Sequence, residues 1–231
     1  MLGRSPCVRP PSISSGGSQV SRLTAGIEAV ALEVVARAGE LNELDARAGD
    51  GDLGVTLSRG ARAVLQVLPG LAGAGPAEVL RTCGATLARE APSTSGTLVA
   101  TALLRAARAA GEVGAAPDAA SVRALLDAGR AGIAERGGAE PGSKTMLDGL
   151  VPAVAAASVE AERGASLEAG LGAAAAAADA GARATVDMVP RHGRAGWLAG
   201  RSAGHEDAGA RLVAIVLSAA AGFAAGRGAA T

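Results

Sequence analysis

The amino-acid sequence predicts an all-α protein, folded as an eight-helix bundle or helical barrel. Alanine makes up much of the 49% hydrophobic content, whereas the 231 residues include no Tyr, one Phe and one Trp. Strands favour aromatic and β-branched residues, so this composition indicates closely packed helices. Apolar residues also recur at helical spacing after residue 20, and no segment shows the alternation of a strand. A chain of this length fits one domain.

Eight apolar stripes define the predicted helices. The first consists of Ile27, Val30, Val34 and Val35, which share one helical face. The other seven lie within residues 57–68, 79–87, 96–111, 122–133, 146–154, 167–178 and 212–226. Pro69-Gly70 stops the second helix, and Gly137-Gly138 ends the fifth.

From the composition of the two ends of the chain we expect neither an export signal nor a membrane anchor. Residues 1–20 are rich in Pro, Ser and Gly, and we expect a disordered tail there, followed by one folded domain over residues 21–231. The longest apolar stretch, residues 212–226, has 15 residues, whereas a spanning helix needs about 20. We therefore expect a cytoplasmic protein with no membrane partner.

The charge and the cysteine content argue against nucleic-acid binding, a disulfide framework and a zinc site. Lys and Arg number 22 and Asp and Glu number 22, so the net charge is zero. A balanced chain without aromatic platforms is not typical of nucleic-acid binding. Cys7 and Cys83 are too few for a disulfide framework or a complete zinc site.

Four polar clusters interrupt the helical pattern, and the first is acidic. Asp45, Asp50 and Asp52 lie within eight residues. Carboxylates this close either point apart into solvent or share a cation, and oxygen ligands favour Mg²⁺ or Ca²⁺. The alternative is a pair of capping aspartates on a solvated loop, and the spacing alone leaves both interpretations open.

We expect Asp45 to lie at the end of a helix and the Gly-rich turn after it to bring Asp50 and Asp52 back towards it. The next helix would start near Val55, with its free amides facing an anion, so that metal and phosphate would meet there. An EF-hand starting at Asp50 is excluded, because its sixth and twelfth positions are Val55 and Ala61 instead of Gly and Glu.

The second cluster, residues 91–97, places Ser93, Thr94 and Ser95 before a predicted helix. Hydroxyls at this position are ordinary N-caps. The alternative is a phosphate-facing turn that uses backbone amides and Ser95.

The third cluster, residues 136–148, suggests a phosphate loop. It does not satisfy G-x-x-x-x-G-K-[ST], because Ser143 separates Gly142 from Lys144. The fourth cluster, residues 193–210, combines two arginines, a histidine and glycines, which suit either an anion clamp or a polar surface loop.

Taken in order, the four clusters resemble the L subunit of dihydroxyacetone kinase. The family pattern LD-x-x-x-GD-x-D-H-G matches Leu44, Asp45, Gly49, Asp50, Asp52 and Gly54. The family's SG turn corresponds to Ser95-Gly96, and its RG-x-x-PGDKTM-x-D run is nearly intact over residues 136–148. Its GRA and GH-x-DPGA motifs are recognisable within residues 193–210. The resemblance covers roughly residues 21–225.

The resemblance implies an eight-helix antiparallel barrel and a nucleotide site. Asp45, Asp50 and Asp52 would hold two Mg²⁺ ions that bridge the phosphates of ADP or ATP, and with Arg194 they would carry the phosphoryl transfer. The implied nucleotide-binding residues are Leu53, Gly54, Val55, Thr56, Thr94, Ser95, Gly96, Gly137, Thr145, Met146, Arg194, Asp207, Ala208 and Gly209. Met146 would pack on the adenine, and Arg194 would neutralise phosphate charge.

Some positions depart from the family pattern. Leu53 and Thr56 replace a His and an Asn near the nucleotide, Ser143 replaces an Asp, and Ala208 replaces the Pro of DPGA. All three metal-binding aspartates remain. We therefore expect metal and nucleotide binding to be retained.

The resemblance also implies the reaction and the partners. The chain would be the subunit that delivers a phosphoryl group to dihydroxyacetone, held covalently on a separate K subunit. Because no K domain is attached, we expect the phosphoenolpyruvate-dependent arrangement, with an M-type phosphocarrier of the phosphotransferase system as a further partner and a homodimer as a further candidate assembly. The alternatives are a degenerate regulatory or binding module, and a kinase subunit for another short ketose.

Overall fold

Nine α-helices form most of the chain in the computed structural model, which describes residues 15–113, 116–190 and 203–227 and the side chains from residue 22 onwards. They are Ser15–Ala36 (α1), Ala38–Ala48 (α2), Leu53–Val67 (α3), Pro76–Glu90 (α4), Thr94–Ala109 (α5), Ala119–Gly137 (α6), Met146–Glu162 (α7), Leu167–Ala184 (α8) and Ala208–Ala224 (α9). Three short 3₁₀ helices cover Leu68–Leu71, Ala110–Glu112 and Thr185–Asp187. The described residues contain no strand, which confirms the all-α prediction.

Among the described helices, α2 is the one that the apolar stripes do not predict. The helix is interrupted at Arg37, because the φ and ψ of this residue, −94° and 11°, lie outside the helical region. Helix α2 begins at the next residue, Ala38. Leu41 is the only buried residue of α2. A short helix with a single core residue leaves too weak an apolar pattern to be predicted.

The termini differ from the expectation in one respect. Helix α1 begins at Ser15, so residues 15–20 of the expected tail are helical, and residues 1–14 lie outside the described ranges. Within those ranges, every helix is too short or too polar to cross a membrane.

Helices that follow one another along the chain pack side by side from α3 to α9, and α9 also packs against α1, which in turn contacts α3. The packed neighbours therefore form a closed series, while the barrel shape stays a prediction. Short connections make the successive helices from α3 to α8 antiparallel, and the N–H of Asp207 at the start of α9 donates to Thr185 at the end of α8. The N-termini of α3, α5, α7 and α9 consequently lie at one end of the bundle.

Small side chains permit the close packing of α7, α8 and α9. Their shared core consists largely of buried alanines. At Gly181 in α8, a Cβ atom would overlap the carbonyl oxygen of Asp148 and lie 2.9 Å from Cγ of Pro152. At Gly172, in the same helix, a Cβ would meet nothing within 4 Å.

This contrast predicts opposite effects of one methyl group within one helix. Gly181→Ala should lower the free energy of unfolding by about 1–3 kcal/mol, because the backbone of α7 must shift. Gly172→Ala should raise it by about 0.5–1 kcal/mol through helix propensity. Urea unfolding followed by circular dichroism measures both, and equal effects would contradict the proposed close contact.

Candidate functional site

The three aspartates of the first cluster converge. One carboxylate oxygen from each of Asp45, Asp50 and Asp52 lies within 4.8 Å of the others. Asp45 is partly buried near the end of α2, whereas Asp50 and Asp52 are exposed in the turn before α3. Three hard oxygen donors this close together suit a divalent cation such as Mg²⁺. The expectation that the turn folds back on Asp45 is confirmed.

The Asp45 carboxylate also fixes the turn itself. Its Oδ2 accepts the backbone N–H groups of Gly51, Asp52 and Leu53 at 3.0, 3.1 and 3.3 Å. Gly51 has φ of +77°, a conformation that favours glycine. Because Oδ2 is committed to the turn, Oδ1 is the oxygen left to face a cation.

The start of α3 does not have the free amides that we expected. It begins at Leu53 rather than Val55, and the Oδ1 of Asn42 accepts the N–H groups of Gly54 and Val55 at 2.7 and 3.1 Å. The Leu53 amide is bound by Asp45. The expected anion contact through free α3 amides is therefore wrong, because α2 supplies the acceptors.

The start of α5 has a different arrangement. The Ser93 hydroxyl caps the helix by accepting the N–H of Gly96 at 3.0 Å, as the ordinary N-cap interpretation predicts. Among the described residues, no group accepts the N–H groups of Thr94 and Ser95, the first two of the helix. Thr94 is exposed and Ser95 is partly buried. An anion can therefore bind at this N-terminus without displacing an internal acceptor.

The third cluster folds around Asp148. Its carboxylate accepts the N–H of Thr145 at 2.8 Å and that of Gly142, and the Thr145 hydroxyl accepts the N–H of Leu147 at 3.3 Å. These bonds form a capping box at the start of α7. Lys144, immediately before it, is 4% exposed and donates to the backbone oxygen of Met188 at 3.2 Å.

Asp207 caps α9 at the same end of the bundle. Its Oδ2 accepts the N–H of Ala210 at 2.7 Å, and its own N–H donates to the Thr185 hydroxyl at 2.8 Å. Desolvation raises the pKa of Asp207 to about 7, and the nearby Asp148 adds to this rise; hydrogen bonds from its own helix and Lys144 oppose it.

Several predicted nucleotide-binding residues meet at the helix starts. Leu53, Met146 and Ala208 belong to one core cluster that also contacts Leu98 of α5. Gly137, at the end of α6, lies against Leu98 as well. The starts of α3, α5, α7 and α9 are therefore connected through shared apolar contacts.

The predicted residues differ in their access to a ligand. Leu53, Gly54, Thr56, Gly96, Met146 and Ala208 are buried, whereas Val55, Thr94, Ser95, Gly137, Thr145, Asp207 and Gly209 are at least partly exposed. Met146 packs against the backbone of Gly209, where a Cβ would lie 2.7 Å from its Cγ. Arg194 lies outside the described residues.

Two structural residues of the site were not identified from the sequence. Asn42 lies one helical turn before Asp45, and its role depends on how the turn at residues 49–52 folds, because that turn brings Gly54 to a residue twelve positions earlier. Asp148 carries a recognisable signal, since Thr145 and Asp148 have the spacing of a capping box.

A groove elsewhere holds none of the predicted site residues. It lies between α1, α8 and α9, with a volume of about 520 Å³. Four of its charged side chains are paired, Arg37 with Glu33 at 3.3 Å and Arg211 with Asp179 at 2.7 Å. Arg227 lines it as well.

Comparison with known proteins identifies the family of this chain. Residues 47–222 match the family described as DAK2 domain. The chain is 35% identical over 177 residues to the PEP-dependent dihydroxyacetone kinase, ADP-binding subunit DhaL, of Escherichia coli, covering 77% of this chain and 84% of that protein. It is 34% identical over 211 residues to human triokinase/FMN cyclase, covering 91% of this chain and 36% of that protein.

A solved structure shows the same fold. The dihydroxyacetone kinase of C. freundii in complex with AMP-PNP and Mg²⁺ superposes with a TM-score of 0.68 and 26% identity, covering 95% of this chain and 38% of that one. The chain thus spans little more than a third of the multidomain relatives. The D-erythrulose kinase of Mycolicibacterium smegmatis is 34% identical over 216 residues, covering 89% of this chain and 36% of that protein.

The relatives are named as kinases, which confirms the phosphotransferase prediction. The chain belongs to the DAK2 domain family. The family match and the E. coli relative also confirm the resemblance to the dihydroxyacetone kinase L subunit.

The Asn42 cap is open to a direct test. Asn42→Ala should lower the free energy of unfolding by about 1–2 kcal/mol, since two N–H groups of α3 lose their acceptor. Glu43→Ala, at the exposed neighbouring position of the same helix, is the matched control and should change little. Urea unfolding of both variants measures the difference, and an unaltered Asn42→Ala midpoint would contradict the capping role.

The raised pKa of Asp207 predicts a dependence of stability on pH. Between about pH 4 and 7 the folded state retains a proton that the unfolded state has lost, so this group lowers stability as pH rises through that window. Asp207→Asn removes the titration. The urea midpoint of Asp207→Asn should therefore rise relative to that of the wild type between pH 5 and 7.5, and the difference between the two should stay constant above pH 8. A difference that is constant across the whole range would contradict the raised pKa of Asp207.

Proposed function

We propose that the chain is the nucleotide-binding L-type subunit of a dihydroxyacetone-type kinase. The observation that carries this proposal is the convergence of Asp45, Asp50 and Asp52 at the end of the bundle where α3, α5, α7 and α9 begin. The E. coli relative, named as an ADP-binding subunit, and the solved kinase with AMP-PNP and Mg²⁺ support it.

The residues present fit Mg²⁺, and the resemblance implies two ions. Asp50 and Asp52 are exposed, and Asp45 offers the oxygen that the turn does not use. When bound, Mg²⁺ would neutralise charge on the phosphates. Phosphoryl transfer depends mainly on positioning and charge neutralisation, so these carboxylates need not react themselves.

The chain's other groups would bind and orient the nucleotide. The N–H groups of Thr94 and Ser95 at the start of α5 are suitable donors to a phosphate, in place of the α3 amides. Arg194 would add positive charge at the phosphates. Met146, Gly209 and the neighbouring residues of α7 and α9 would form the wall against the base.

The acceptor would be dihydroxyacetone on a K subunit, and the bound nucleotide would be rephosphorylated by an M-type phosphocarrier in the cytoplasm. The E. coli relative is named as PEP-dependent, and the chain covers most of its length. A four-carbon ketose is the second candidate acceptor, since another relative is named as a D-erythrulose kinase. Homodimer formation is compatible with either acceptor.

Calorimetric titration of ADP and ATP, with and without Mg²⁺, tests the proposal. The wild type should bind nucleotide in a Mg²⁺-dependent manner, and Asp50→Ala with Asp52→Ala should reduce affinity by at least about a hundredfold, the loss of roughly 2.7 kcal/mol. Glu162→Ala with Glu168→Ala removes two exposed carboxylates of α7 and α8 and is the matched control.

Two results would contradict the proposal. Nucleotide binding unaffected by the loss of Asp50 and Asp52 would remove the metal site. Absence of binding by the folded wild type, shown to be nucleotide-free, would favour the regulatory module instead.

A further inference from the structure

Lys144 is the only lysine in a sequence with 22 basic residues, so the other cations of the chain are all arginines. It is also the only non-glycine residue in the described ranges with a positive φ, at +60°. Its side chain is almost completely buried, at 4% exposure. Left-handed backbone and a buried ammonium are both unfavourable for lysine, so the surrounding contacts must stabilise them.

The contacts of Lys144 come from two other segments at the same end of the bundle. Its ammonium donates to the backbone oxygen of Met188 at 3.2 Å, just after the 3₁₀ helix Thr185–Asp187. It also interacts electrostatically with the carboxylates of Asp207 and Asp187. Burial nevertheless lowers the pKa of Lys144, so these carboxylates are what favour its charged form.

These contacts connect the two segments, at the starts of α7 and α9, that we propose to lie against the nucleotide base. On one side, Lys144 directly precedes Thr145 and Met146 at the start of α7. On the other side, Asp207 caps α9, and Gly209 packs against Met146 with no room for a side chain. Asp148 lies close enough to raise the pKa of Asp207, and Lys144 is the cation that opposes this repulsion.

We propose that Lys144 is a positioning residue for nucleotide binding: it holds the start of α7 against the N-cap of α9 and keeps Met146 and residues 207–209 in place for the base. This inference rests on the proposed function. Lys144 acts through Met146 and Asp207 and need not touch the nucleotide. A neutral side chain would leave the repulsion between Asp207 and Asp148 without an opposing cation at residue 144.

Lys144→Met, which retains the length of the chain and removes the charge, is the test variant. Its affinity for Mg·ADP should fall about ten- to a hundredfold, the range seen when a supporting residue of a site is lost. Arg123→Met removes one exposed cation from α6 and controls for net charge. Lys144→Arg should recover part of the affinity. Urea unfolding of each variant shows whether it is folded during the titration.

The pH dependence separates positioning from general destabilisation. Without the ammonium, the pKa of Asp207 rises further, because Asp148 and burial are then opposed only by hydrogen bonds within α9. The loss of Mg·ADP affinity in folded Lys144→Met should therefore grow as pH is raised from 7 to 9, because Asp207 then becomes charged beside Asp148 with no ammonium to oppose the repulsion, whereas wild-type affinity should change little. A fixed loss across this range would overturn the positioning role.

The two proposals fail in different ways. A wild type that binds no Mg·ADP would overturn the proposed function and this inference together. A wild type that binds, with Lys144→Met binding equally well, would overturn this inference alone.

Discussion

The site depends on one carboxylate that serves two purposes. Oδ2 of Asp45 accepts three successive backbone N–H groups and so determines the path of the turn between α2 and α3. The same turn carries Asp50 and Asp52, whose oxygens come within 4.8 Å of the Asp45 carboxylate. The side chain that would bind the cation therefore also positions its other two ligands. Repulsion among three carboxylates is a cost that the folded turn bears before any cation arrives.

Carboxylates and amide oxygens of the chain recur as caps at this end of the bundle. The side chains of Asn42 and Asp45 accept N–H groups at the start of α3. Those of Asp148 and Asp207 do the same at the starts of α7 and α9. Helix α5 is the exception, since a serine hydroxyl caps it and, among the described residues, no group accepts the N–H of Thr94 or Ser95. Positive potential at a helix N-terminus attracts anions most where the chain has not already supplied an acceptor. Under the proposed function, this distribution favours α5 over α3 as the helix that would face the phosphates.

How far the sequence predicts this arrangement depends on whether each feature is local. The apolar stripes predict eight of the nine helices in the described ranges, because apolar periodicity marks the buried face directly. Helix α2 is not predicted, since Leu41 is its only buried residue. The convergence of the three aspartates follows from their spacing and the glycines between them. The capping of α3 by Asn42 does not follow from the sequence, because it depends on how the intervening turn folds. Burial of Lys144 beside Asp207 is still less accessible, as these residues lie 63 positions apart in the sequence.

The departures from the family pattern affect the scaffold and the ligand differently. Leu53, which stands where the family has a histidine, is 5% exposed and packs with Met146 and Ala208 in the core beneath the helix starts. A leucine there gains apolar burial and would lack the polar contact to the nucleotide that the resemblance implies, but its N–H still donates to Asp45. The backbone bonds that shape the acidic turn do not depend on that side chain. A change at residue 53 can therefore alter nucleotide affinity while the geometry of the three aspartates is retained, which is why their convergence outweighs the substitution in assigning function.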